Sequence, residues 1–139
     1  MDGGIIAFGA AILVVGVFIF VAILLTGKRS YTFNKENYQA RFLAIENGLK
    51  KDVKQSYAMS ILEADKLLDR ALHEMGTQGK TMGDRLKKSS NRFTELNSVW
   101  RAHKFRNAIA HDTDFEVSYN QAKNILAVYK QALKDLGAI

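Results

Sequence analysis

Two of the three histidines in the chain fall in one short stretch, Trp100-Arg101-Ala102-His103-Lys104-Phe105-Arg106-Asn107-Ala108-Ile109-Ala110-His111-Asp112. At about 100° per residue, a helix places His103, Asn107 and His111 within about 80° of one another, with Arg106 about 60° to the other side of His103. An imidazole moves a proton near neutral pH. A guanidinium is a permanent cation whose fork matches a phosphate or carboxylate. Side by side, the two offer acid/base catalysis and stabilisation of developing negative charge. Ala102, Phe105, Ile109 and Ser98 gather on the other side of the same helix. The segment therefore reads as a helix with an apolar back on a core and a cationic, imidazole-bearing front turned to solvent, a partner subunit or a ligand.

Plainer roles fit the same residues. Arg106 is placed to form a surface ion pair with Asp112 or Asp114, which carries little energy. His111-Asp112 also reads as the polar end of a helix, where a cationic imidazole suits the C-terminal dipole. His103, His111, Asp112 and Asp114 lack a second helix of ligands, so no metal site and no cofactor is expected.

The run Arg106-Asn107-Ala108-Ile109-Ala110-His111 resembles the R-(four to six residues)-H signature of HEPN domains, with the polar residue those domains favour directly after the arginine. The wider block from Ala102 to His111 is similar to a form of that motif in membrane-anchored bacterial proteins. The resemblance covers residues 35–139, and its specific part lies within 102–112. It implies a small all-α bundle, dimeric, with the motifs of two protomers facing each other across one cleft. It further implies a metal-independent endoribonuclease or a non-catalytic binding and dimerisation module acting on RNA or a nucleotide. In the catalytic case His111 is the acid/base, Arg106 the phosphate clamp and Asn107 the residue that orients them, with His103 as an auxiliary imidazole. RNA is the expected nucleic acid and DNA is not, because DNA lacks the 2′-hydroxyl that would serve as nucleophile. One toxin subgroup of the family carries a nucleotidylated tyrosine two residues after the histidine; Thr113 stands there in this chain, so regulation of that kind is not expected.

Something must hold that helix, and the chain begins with something else. Ile5 to Leu25 has no charged or polar side chain and is followed by Lys28 and Arg29. At ~1.5 Å per residue it reaches ~30 Å, the thickness of a bilayer's hydrocarbon layer. A cleaved signal peptide fits less well: Met1-Asp2-Gly3-Gly4 has no basic group, and Leu25-Thr26-Gly27-Lys28 is a poor cleavage site. The expectation is a single-pass anchor in the cytoplasmic membrane. Asp2 lies on one side and Lys28, Arg29 and Lys35 on the other, so the N-terminus should be outside and the C-terminal domain in the cytosol. The expected organisation is a tail at 1–4, a transmembrane helix at 5–25, a juxtamembrane linker at 26–33 and a cytosolic bundle at 34–139. Tyr31 and Phe33 should sit at the membrane interface.

The rest reads as all-α, a four- to five-helix up-and-down bundle. Asn34 can cap a first helix bearing Tyr38, Phe42, Ile45 and Leu49. Asp52 with Gln55 resembles a capping box for a second, with Val53, Tyr57, Ile61, Ala64, Leu68, Leu72 and Met75 on one face and a stop at Gly76. Thr81 to Lys88 is a short third helix, and 94–110 the fourth. Ser118 with Gln121 is a capping box for the last, whose stripe is Ala122, Ile125, Leu126, Tyr129, Ala132, Leu133 and Leu136. The chain has no cysteine and no proline, which excludes disulfides and thiolate metal sites. All 20 basic side chains follow the apolar run, against all but one of the 14 acidic ones. That surplus suits anionic lipid or RNA. Arg85, Lys87, Lys88 and Arg92 read as a solvated basic face. The partners expected are thus a lipid bilayer, a second copy of the chain, and RNA.

Overall fold

The computed structural model describes residues 3–26 and 31–139, as two compact units that divide after Tyr31. The first unit holds α1 (Gly3–Thr26). Its side chains are exposed from Gly3 to Leu24, apolar on every side rather than along one stripe. By length and composition α1 can cross a membrane, and a signal sequence meets the same description. The expected tail at 1–4 and linker at 26–33 lie partly outside the described residues; within them the helix already begins at Gly3 and runs through Thr26. The flanking Lys28 and Arg29 also lie outside them.

The second unit is a helical bundle, with no strand among the described residues. It comprises α2 (Lys35–Gly48), α3 (Lys54–Glu74), α4 (Met82–Lys88), a single 3-10 turn at Ser90–Arg92, α5 (Leu96–His111) and α6 (Tyr119–Asp135). The central α3 packs on α6 most extensively and also touches α2, α4 and α5, while α5 bridges to α6. Ile61, Leu68 and Leu72 of α3 are fully buried with Phe42 of α2, Leu86 of α4, Val99 of α5 and Tyr129 and Leu133 of α6.

Local chemistry sets most helix ends. The Asn34 side chain accepts the Asn37 N–H and starts α2. Reciprocal capping boxes start α4 (Thr81 with Asp84) and α6 (Ser118 with Gln121). Gly76 and Gly137 adopt φ 76° and 77°, and the bonds Thr77 N–H to Leu72 O and Ala138 N–H to Leu133 O close Schellman ends on α3 and α6.

Four expectations need correction. Val53, not Asp52, caps α3, and no side chain bonds there. Ser56 instead braces the loop, accepting the Lys50 N–H and donating to Val53 O, which leaves Val53 44% exposed rather than on the core stripe. Phe33 is buried and packs edge-on against Tyr38 at 5.3 Å, so it belongs to the bundle and not to a membrane interface. Arg85 is buried, not part of a solvated face: its Nε and Nη2 donate to the two Asp69 oxygens at 2.7 and 2.8 Å. Finally, α5 is turned about its axis. Val99, Ala102 and His103 are buried, while Ser98, Phe105 and Ile109 are only half-buried.

Candidate functional site

The rotation of α5 follows from a charge on α3. Asp65 sits one residue after Ala64, four after Ile61 and three before Leu68, within the buried stripe, and is 4% exposed. A carboxylate there must be met by donors, because an unpaired buried charge costs several kcal/mol (roughly 3–5). Three donors converge on it. The Tyr129 hydroxyl, from α6, donates to Oδ1 at 2.8 Å. His103 Nδ1, from α5, lies 2.9 Å from the same oxygen. Arg106 Nε lies 3.2 Å from Oδ2. That last N–H is buried and not aimed along the line to the oxygen, so the contact is an ion pair rather than a hydrogen bond.

Asn107 closes the constellation. Its Oδ1 accepts from Arg106 Nη1 at 3.2 Å, and its Nδ2 faces His103 Nε2 at 3.4 Å. The order of donors is self-consistent with the imidazole proton on Nδ1, toward the carboxylate, and the Nε2 lone pair toward the amide. The four side chains form a ring: Asp65, His103, Asn107, Arg106 and back to Asp65. Tyr129 is held as a donor. Burial pushes its phenol pKa far up, and the Asp65 charge and hydrogen bond push it further, with Arg106 opposing weakly.

The ring forms one wall of an open groove of about 840 Å³ between α3 and α5, reached also by Lys66, Trp100, Lys104 and His111. Trp100 stands edge-on to the His103 ring at 6.2 Å and packs beside Gly83 of α4, where a Cβ would lie 3.7 Å from the indole. Arg85 fixes the short α4 in place by gripping Asp69 of α3 and the Gly79 carbonyl at 2.6 Å. A Cβ on Gly79 would fall 2.8 Å from Asp84 Cβ, so only glycine permits that turn.

The structure therefore brings His103, Arg106 and Asn107 together, with the first buried and the others half-buried. His111, the last residue of α5, is exposed and lines the same groove. Its imidazole has no hydrogen-bond partner among the described residues. Asp112 accepts the Asp114 N–H at 3.0 Å and shapes the turn after α5; neither aspartate is the partner of Arg106, which is Asp65 on another helix. No three His, Cys, Asp or Glu side chains gather at a common point among the described residues.

Sequence reasoning missed Asp65, Tyr129 as its donor, and Lys66 and Lys104 as groove residues. Asp65 had a legible signal: a carboxylate inside an apolar stripe demands partners, and the polar front of α5 was the obvious supply. Compared with protein-family models, with curated proteins and with solved structures, the chain matches none.

Proposed function

We propose that the chain is a membrane-anchored, HEPN-like module whose α3–α5 groove binds RNA through its phosphates. The observation that carries this reading is the ring around Asp65. Contacts at Nε and at Nη1, on different sides of the guanidinium, hold Arg106 against the bundle, while the side chain, 33% exposed, still reaches the groove. A cation fixed this way loses little side-chain entropy on meeting an anion, which favours a phosphate over diffuse counterions. Lys66, Lys104 and His111 line the same groove beside the acids Glu63 and Asp69, the latter already paired with Arg85, and the two lysines add to its attraction for a polyanion. The internal bonds of His103 and Asn107 suit a binding module, since both side chains are already committed. Anchoring by α1, with the N-terminus outside and the bundle in the cytosol, would set this groove where RNA is present. Pairing of two bundles, as the motif resemblance implies, would double the site.

A second reading rests on His111. An unpartnered, exposed imidazole in one groove with a fixed guanidinium is the minimum for RNA cleavage by the 2′-hydroxyl. The imidazole would take the 2′-proton as O2′ attacks phosphorus, and Arg106 would hold the charge on the phosphoryl oxygens. The 5′-oxygen would leave with a proton from the same motif of a second copy across the dimer cleft that the resemblance implies, yielding a 2′,3′-cyclic phosphate. The full chain in detergent, incubated with labelled single-stranded RNA and a chelator, tests both readings. Retarded but intact RNA supports binding, cyclic-phosphate products lost in His111→Ala support cleavage, and free intact RNA at all concentrations contradicts both.

A further inference from the structure

We propose that the α2–α3 face of the bundle docks on an anionic lipid surface. Leu43, Val53 and Met59 are 56%, 44% and 58% exposed; every other large apolar side chain described from Thr32 onward is buried or half-buried. Val53, the N-cap of α3, and Met59, in its second turn, lie on the α2–α3 face, whereas Leu43 of α2 does not line it. Val53 and Met59 line an open groove of about 660 Å³ between the two helices. Its rim carries Arg41, Lys66 and Arg70 against the single acid Glu63, with Arg70 also paired to Glu74 at 2.7 Å, and exposed Lys50, Lys51 and Lys54 bracket Val53 against the one acid Asp52.

Charge and covalent reach select the occupant. Cations around exposed apolar side chains are what a negatively charged lipid surface accommodates: the apolar groups enter the headgroup boundary and the long basic stems reach phosphates. A second copy seated on the same face by a two-fold axis would instead oppose Arg41, Lys66 and the Lys50, Lys51 and Lys54 cluster to their own kind. The proposal rests on the reading of α1 as an anchor. Only residues 27–32 separate Thr26, the end of α1, from Phe33, the first buried residue of the bundle. At full stretch that connection spans about 25 Å, so the bilayer is always within reach and docking is close to an intramolecular event.

The chain has no cysteine, so single-cysteine full-length proteins can carry a fluorophore at one chosen position. Val53→Cys and Met59→Cys report the face, Asn124→Cys on exposed α6 is the control, and Phe18→Cys reports insertion of α1. Each is reconstituted in phosphatidylcholine vesicles with brominated acyl chains, with and without phosphatidylglycerol. Labels at 53 and 59 should be quenched at least about twofold more with phosphatidylglycerol than without, and the label at 124 should not change. Each lysine reversed among Lys50→Glu, Lys51→Glu and Lys54→Glu should shift the docked fraction roughly fivefold toward undocked or more. If 53 and 59 are quenched no more than 124 while 18 is strongly quenched, docking is overturned and the anchor stands. If 18 is not quenched, both fall. Energy transfer between two copies labelled at 59, unaffected by phosphatidylglycerol, would assign the face to a second copy and overturn lipid docking.

Discussion

Asp65 and Arg106 meet across the α3–α5 interface with 3.2 Å between Oδ2 and Nε, and this contact decides which way α5 faces. An arginine that reads as a free cation on a helix front is instead braced from beneath by a buried carboxylate. The same carboxylate draws in His103 and Tyr129, so the candidate site and the hydrophobic core share one polar residue.

Removing that residue should cost more than an ordinary polar substitution. Asp65→Ala leaves Arg106 Nε, His103 and Tyr129 facing an empty position in a buried setting. Unfolding by denaturant should show a loss of roughly 3–5 kcal/mol. Tyr129→Phe deletes only one of the donors and should cost less, about 1.5–3 kcal/mol. Equal, near-zero effects would show that Asp65 does not organise the interface.

The rotation of α5 has its own signature. Leu68→Ala, at a fully buried position on α3, is the core reference and should cost about 2–5 kcal/mol. Phe105 is half-buried and stacked edge-on with Phe115 at 4.9 Å, so Phe105→Ala should cost less than the ~3–5 kcal/mol expected of a fully buried phenylalanine. A full core penalty at Phe105, with a tolerant Val99→Ala, would mean that α5 faces the other way.

Acid should weaken the bundle through two aspartates outside the core. The Thr81 backbone N–H and hydroxyl hold Asp84 below the ordinary aspartate range, with burial opposing. At Asp135 burial is the largest single influence and pushes upward, but the Thr94 and Gln131 hydrogen bonds together outweigh it, and the net shift is down. Both groups bind protons more weakly folded than unfolded. Their contribution is therefore complete above the ordinary aspartate pKa of about 3.9 and is lost as pH falls through that value toward the folded ones. Melting temperature should drop between neutral pH and pH ~3, and the drop should be smaller in the Asp84→Asn, Asp135→Asn double variant. An identical drop in both proteins would place the acid sensitivity elsewhere.

The proposed orientation is checked by reporters fused after Ile139. A reporter active only in the cytosol should work, and one active only outside should not. The opposite pattern would contradict a cytosolic bundle, and recovery of the intact chain in the soluble fraction would contradict the anchor.

How much was legible in the sequence differs by range of interaction. The Asn34 cap, the Thr81 and Ser118 starts and the Gly76 stop depend on residues a few positions apart, so composition and spacing reveal them. The apolar faces of α3 and α6 were likewise visible, because their stripes are wide and continuous. The orientation of α5 was not. Its own pattern contains two competing faces, one carrying Phe105 and Ile109 and the other Val99 and His103, and the choice was made by Asp65, 38 positions away. Arg85 misled for the same reason: its carboxylate partner, Asp69, lies 16 positions away on another helix. Local periodicity does not weigh a buried ion pair against a phenylalanine. Spacing along one helix put His103, Arg106 and Asn107 side by side, but the support they receive from Asp65 could be seen only in three dimensions.

The central claim is that a braced Arg106 receives an RNA phosphate in the α3–α5 groove, and equilibrium binding of single-stranded RNA to the full chain at several salt concentrations tests it most directly. The wild type should bind with an affinity that falls as salt rises. Arg106→Ala, with its helical content unchanged, should bind at least about tenfold more weakly and with a shallower salt slope. Arg106→Lys should recover only part of the loss, because a lysine cannot span both Asp65 and Asn107 and still meet a phosphate. Equal affinity and equal slope in wild type and Arg106→Ala would contradict the account.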